Sequence, residues 1–403
     1  MNNSIKNIIF YCILGLFITS FVIPSYSFNT QCLIGMALYS LLIKDNLRTK
    51  ILYFKKQKFN IPIIGIPFLL ALCGLIYSND KENGLKIVVN LLPFVLIPFS
   101  LLLIRLKPTI LDYCLKVLTF STVFYCILVM GYVSYLYINQ LGDYFYYENY
   151  GLFFGKHTTY SALFIALSIS YLLYELRYKK DKVKYFVYPL LVGFLCLQIY
   201  FLSVRIAMIS IFINTIFLTL TLKNKIKYFV VVGLTLLSYL VFNLPNFKKR
   251  FLPSMTEAGE MNGLSFREEH WLSVVETIKN NNIFFGNGTG SDRTFLIEQY
   301  QIRKLTSAYL EEYNAHNQFL EIMLDYGIIG LISFLFLLIY LYYYQIKKRK
   351  IVSLLMLNIF IIFFITESLL VRQSGIMIFA LILTLITYET FYKPLYIEKN
   401  KTL

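Results

Sequence analysis

The stretch YGIIGLISFLFLLIYLYYYQI at 326–346 is 21 residues long and carries no charged side chain. A helix needs about 20 mostly apolar residues to cross the hydrocarbon core of a bilayer. This stretch therefore predicts a membrane-spanning helix. Working outward from it, the same criterion places further spans near 8–23, 28–43, 60–77, 86–104, 111–137, 160–176, 186–203, 206–222, 229–243, 351–371 and 375–391. The expected fold is an all-α polytopic membrane protein, a bundle of about 12 transmembrane helices with one large extracytoplasmic loop. Composition agrees. The 403 residues are 58% hydrophobic and 18% aromatic, with mean hydropathy +0.63, whereas a soluble domain sits near half apolar.

The net charge of +16 would suggest nucleic acid in a soluble chain. No recognition module accompanies it, so no nucleic-acid partner is expected. Basic residues instead fix topology by gathering in cytoplasmic loops. With the N-terminus inside, 24 of the 38 Lys and Arg fall on inside connections. Thirteen fall outside, and eight of those lie in the one long loop, where the charge rule counts least. Both termini are thus expected in the cytoplasm. Three blocks follow: residues 1–243 with nine spans and an outer connection at 138–159, residues 244–325 as the large outer loop, and residues 326–403 with three spans and a cytoplasmic tail. Phe28 continues into another apolar run and no cleavage site precedes it, so the first span reads as a membrane helix, not a signal peptide. The six cysteines all fall in apolar runs and read as small buried hydrophobes. Tyr144, Tyr146, Tyr147 and Tyr150 read as part of an interfacial aromatic belt.

Phe266 to Glu321 is the long polar exception. It opens with Arg267 and Trp271, four apart and so on one helical face. Phe285-Gly286-Asn287-Gly288-Thr289-Gly290 follows as a tight turn whose N–H groups are free to face an anion. The segment closes with His316-Asn317 ahead of the 326–346 span. Imidazole is the side chain best matched to proton transfer near neutral pH. A guanidinium offers a planar fork of donors that fits phosphate oxygens. Alternatively, Arg267 pairs with Glu268, Glu269 or Glu311 on a solvated face. Upstream, Arg205 lies in Ser203-Val204-Arg205, where two spans meet almost without a loop. A charge at that depth is either paired or functional, or it snorkels to the headgroups. His157 and His270 read as structural. No two histidines have the helical spacing of a zinc site, so no metal is expected.

In their order these motifs resemble the O-antigen ligase and O-antigen polymerase superfamily of bacterial membrane glycosyltransferases. The resemblance rests on Ser203-x-Arg205, Arg267-x-x-x-Trp271, Phe285 to Gly290, and His316-Asn317-x-x-Leu320-Glu321 leading into Gly327-Ile328-Ile329-Gly330. It implies inverting, metal-independent transfer, without cofactor, of a glycan from undecaprenyl diphosphate to a hydroxyl of lipid A-core. The polymerase alternative extends a growing carrier-linked glycan. It also implies the bacterial inner membrane with a periplasmic site. His316 would be the general base, and Arg205 and Arg267 would hold the diphosphate. Lys156, His157, Trp271, Asn317 and Glu321 would contact substrate. A polysaccharide or lipid transporter is the main non-enzyme alternative. Its usual inverted repeats and Gly/Pro-broken helices in both halves are not evident, since the polarity concentrates in one outer segment.

Overall fold

The computed structural model describes residues 3–178, 182–221, 254–255, 261–262 and 264–391. The expected span at 229–243 and part of the long loop lie outside them. The described chain is helical apart from one short ladder, Ser254–Met255 against Met261–Asn262. Six helices are long and apolar enough to cross a membrane: Lys81–Leu102, Ile110–Ile138, Thr158–Tyr178, Val183–Leu202, Gln318–Lys347 and Gln373–Phe391. Four further apolar helices are shorter, at Ser4–Ser20, Ile66–Ile76, Arg205–Leu220 and Ile351–Thr366.

The differences from the expected spans have local causes. Run 60–77 divides at Gly65 into Asn60–Ile64 and Ile66–Ile76. Run 86–104 turns ahead of Pro93, which cannot donate to the preceding turn. Run 28–43 becomes the helix Tyr26–Leu38 followed by a π-helical turn, Tyr39–Lys44. Run 351–371 stops at Thr366, because Glu367 turns extended. The helix ending at Lys347 begins at Gln318, ahead of the expected 326.

Two helices form the centre. Thr158–Tyr178 and Gln373–Phe391 are buried on nearly every side, as a helix apolar all round must be. The surrounding helices leave large apolar side chains exposed, among them Ile76, Ile138 and Phe186. Those are the faces that lipid would cover. Cys12, Cys73 and Cys196 share this outward position, and only Cys114 and Cys126 are buried. Apolar surroundings did predict membrane helices for the cysteines, but not which face of each helix they occupy.

The glycine turn is a structural joint. Gly327 breaks the Gln318–Lys347 helix, with φ 63° and ψ −162°. The break frees backbone groups, and the turn satisfies them. Ile328 N–H donates to the Ile283 carbonyl at 2.9 Å and Ile329 N–H to that of Phe284 at 3.3 Å. In return Asn287 and Gly288 N–H groups donate to the Leu324 and Asp325 carbonyls at 3.0 and 2.9 Å. A Cβ on Gly286 would sit 2.5 Å from the Asp325 carbonyl, and one on Gly290 would sit 2.5 Å from Gly84 N. Thr289 Oγ1 donates to the Ala71 carbonyl at 2.7 Å. The N–H groups of Gly286, Asn287 and Gly288, expected to face an anion, are therefore spent on protein carbonyls.

The polar segment has a small core of its own: Val274, Ile278, Leu296, Tyr300, Ala308, Ala315 and Leu324. Arg303 braces it by bonding Glu269 and Glu276 from the neighbouring helix. Contacts Lys44–Arg105, Leu106–Tyr388, Tyr178–Thr221 and Lys348–Thr390 gather one end of the bundle, and the polar segment meets the opposite helix ends around Arg205 and Glu367.

Candidate active site

Three chain corners meet at the end of the bundle that carries the polar segment. At the first, Ser203 turns left-handed with φ 53° and Val204 is extended, so the next helix starts at Arg205. Tyr146 Oη and Ser203 Oγ lie 3.1 Å apart, tying the 138–159 connection to this corner. Tyr150 is fully buried and bonds Gln198. These tyrosines knit the connection to helix ends; they do not form an outward belt.

The second corner is the His316 turn. His316 itself is left-handed at φ 43°, a conformation costing a non-glycine residue roughly 1–2 kcal/mol. Side chains hold it there. Asn314 Oδ1 accepts from His316 N–H at 2.9 Å. Glu321 Oε2 accepts from Ala315 N–H at 2.7 Å and from Ser368 Oγ at 3.0 Å. Asn317 Oδ1 caps the Gln318–Lys347 helix through the N–H groups of Phe319 and Leu320. Asn317 Nδ2 donates to the Ile365 carbonyl at 2.9 Å. The turn is thereby stapled to the third corner, residues 365–368.

Glu367 is the result of that staple. Its Oε2 lies 3.5 Å from His316 Nδ1, and its Oε1 lies 3.7 Å from Arg267 Nη2. Arg267 Nη1 also donates to the Thr366 carbonyl at 3.5 Å. Arg267, Glu367 and His316 form one row. Two of the acids expected as alternative partners of Arg267 are placed otherwise. Glu269 binds Arg303, and Glu311 lies exposed at the cavity rim.

The row lines a cavity of about 1320 Å³ that also takes in Lys156, His157 and Arg205. Five of the eight site residues expected from sequence therefore share one space. Trp271, Asn317 and Glu321 do not line it. The indole Nε1 of Trp271 is buried without a hydrogen-bond partner among the described residues. Lys156 donates to the Phe21 carbonyl at 2.5 Å, and burial pushes its pKa down to about 8.

Arg293, Arg372 and His270 also line it and were not read as site residues. His270 is 1% exposed, with Nε2 2.7 Å from Tyr300 Oη and its ring 5.5 Å from that of His316. Burial, helped by His316 and by Arg267 nearby, pushes its pKa down to about 3 despite a bond to the Asn314 backbone. It stays neutral beside His316. An unfolded imidazole takes its proton below about pH 6.5, while the folded one refuses it until about pH 3. Stability should fall as pH drops through that window, by up to roughly 1.4 kcal/mol per unit. Thermal unfolding at pH 5 and pH 7 measures this. His270→Phe should flatten the difference; an unchanged slope would mean other groups carry it.

Residues 190–335 match the family model described as O-antigen ligase. Over that stretch the chain is similar to O-antigen ligases. Members of the O-antigen ligase superfamily are membrane enzymes of the glycosyltransferase type, ligases and polymerases. The O-antigen ligase region contains Arg205, Arg267, Arg293 and His316, and stops short of Glu367 and Arg372. Lys156 and His157 precede it. No curated protein matches the chain.

The signal for Glu367 was present in the sequence. A lone carboxylate inside an apolar run is costly and by default functional. Thr366-Glu367-Ser368 sits inside the run 351–371. Arg372 follows in the short link to the next run. Arg293 stood among ordinary loop residues, and nothing local distinguished it.

Proposed function

We propose that this protein transfers a glycan from undecaprenyl diphosphate to a hydroxyl acceptor, in the manner of an O-antigen ligase, with a lipid A-core sugar as acceptor. The observation carrying this reading is the row Arg267–Glu367–His316 on the wall of the cavity that Arg205 also lines. The reading includes about twelve spans, a bacterial inner-membrane location, cytoplasmic termini, a large outer loop over 244–325 and a periplasmic site.

The chemistry divides among named groups. The acceptor oxygen attacks the anomeric carbon and its proton passes to His316. With Nδ1 turned to Glu367, Nε2 is the nitrogen that receives it, and Glu367 steadies the imidazolium that forms. The bond from the anomeric carbon to the phosphate oxygen breaks on the opposite face, which inverts the centre. The lipid diphosphate departs with one more negative charge than it brought in its ester. Arg205, on the first turn of its helix, meets that charge. Lys156, His157 and Arg372 lie along the same cavity. Arg267 acts mainly through Glu367, with its remaining donors toward the diphosphate. Asn317 and Glu321 act by holding the His316 turn.

Arg267→Lys tests the fork. An ammonium keeps the charge but cannot reach Glu367 and the Thr366 carbonyl with a fixed planar geometry. Losing one charge-assisted bond should lower turnover about 10-fold or more. A wild-type rate would mean that charge alone matters.

The decisive assay uses purified protein in detergent, with carrier-linked glycan and either lipid A-core or a second carrier-linked glycan. Release of undecaprenyl diphosphate without a sealed compartment is expected. Elongated lipid A-core supports the ligase reading, and elongated carrier-linked glycan makes the protein a polymerase. A transporter would release no undecaprenyl diphosphate and would need two compartments.

A further inference from the structure

The helix Leu47–Gln57 belongs to no part of the cavity. It has 11 residues, so at 1.5 Å per residue it is roughly 16 Å long. That is about half the ~30 Å of a bilayer core, so it cannot cross. It lies between the Tyr26–Leu38 helix with its π-helical turn and the Asn60–Ile64 helix. Both neighbours belong to runs that read as spans, so it runs along the end of the bundle remote from the cavity. One face is fixed to the protein. Lys50, Tyr53 and Gln57 are buried, and Lys50 Nζ donates to the Leu41 carbonyl. Asn46 caps the helix start, and Asp45 accepts from Arg105 N–H at 2.9 Å.

The other two faces are exposed and differ in chemistry. Leu47, Ile51 and Phe54 recur at helical spacing and are 72%, 47% and 46% exposed. Rotated from them lie Arg48, Lys55 and Lys56, all exposed, with Lys58 just past the helix end. The helix contains no Asp or Glu, and none of these four cations has a carboxylate partner among the described residues. Lys58 lies instead over the Phe59 ring at 4.9 Å. A face turned only to water would have no reason to keep Leu, Ile and Phe in one stripe. A helix lying in the membrane interface needs that stripe toward the acyl chains and the cations at the level of lipid phosphates.

We propose that Leu47–Gln57, with Lys58, is a binding element for anionic phospholipid headgroups. Its charge goes beyond setting orientation, because Arg48 and Lys55 flank the apolar stripe, Lys56 lies further round beyond the 42% exposed Leu52, and Lys58 follows at the stripe's end. The inference does not rest on the glycan-transfer reading.

The test uses the full chain in detergent, loaded with equal phosphatidylglycerol and phosphatidylcholine, with retained lipids counted by native mass spectrometry. Wild type should retain phosphatidylglycerol preferentially. Each cation near a lipid surface is worth about a fivefold change in binding, so R48Q/K55Q/K56Q/K58Q should lower that preference at least tenfold. Equal retention in the two proteins, or displacement of the lipid by millimolar inorganic phosphate, overturns the proposal. A second measurement covers the case where that variant folds poorly. Trp271 is the sole tryptophan, so Phe54→Trp in a Trp271→Phe chain reports one position. In vesicles of phosphatidylcholine and phosphatidylglycerol with brominated acyl chains its fluorescence should be strongly quenched. Unquenched emission would place the stripe in water and end the idea.

Discussion

Replacing His316 with alanine should leave a folded membrane protein whose glycan transfer is lowered about 10²–10⁴-fold, the usual worth of a positioned general base. Folding should survive because the turn is held by Asn314, Asn317 and Glu321, none of which uses the imidazole. Relief of the left-handed φ is not available to alanine either, so stability should change little. Glu367→Gln should cost less. It keeps the shape and an acceptor oxygen for His316 but removes the charge that steadies the imidazolium, so the rate-against-pH curve should move as well as drop. The readout is release of undecaprenyl diphosphate by purified variants with matched melting temperatures. If His316→Ala turns over as fast as the parent, the proton goes elsewhere and the row of three side chains has no catalytic meaning.

Gly327→Ala should be among the most damaging single methyl additions in the described chain. An added Cβ would lie 2.4 Å from both the carbonyl carbon and oxygen of Phe284. Those are backbone atoms and cannot swing aside as a side chain would. The φ of 63° with ψ of −162° is also open essentially to glycine alone. Strain of this kind costs about 1–3 kcal/mol, and the contact adds to it. Relief requires the 283–288 turn to leave the helix, which strands the backbone groups of residues 324–329. Lower thermal stability, early proteolysis at the glycine turn and loss of transfer should appear together. An alanine variant melting with the parent would show that the break tolerates a side chain, and the joint would be weaker than its geometry suggests.

The two outcomes touch different layers of what the sequence made legible. Apolar run length exposed the membrane helices, and the Ser203-Val204-Arg205 corner was readable because two such runs abut there. Arg205, Arg267 and His316 were readable as chemistry from residue type and position, Lys156 and His157 entered only through the family resemblance, and all five line one cavity. Helix interruptions at Gly65, Pro93 and Thr366 were not, since hydropathy averages over them. Glu367 was hidden for the same reason: one carboxylate barely changes the mean of a long apolar run. The glycine turn was recognised as a turn. Its task depends on Leu324 and Asp325, brought alongside only by the fold. Asn317 and Glu321 were read with His316 from their spacing. Which of the three faces the cavity is decided by contacts to Ile365 and Ser368, far along the chain.

The exchange of hydrogen bonds across Gly327 has a consequence for engineering. The polar segment looks like a module that could be grafted between relatives to change which acceptor is used. It is not separable at its obvious ends. Residues 283–291 complete the 324–329 stretch on one side and fit against Gly74, Ser78 and Gly84 on the other. A chimera that swaps the segment alone would pair one parent's turn with another's socket. Transplants should carry all three pieces together.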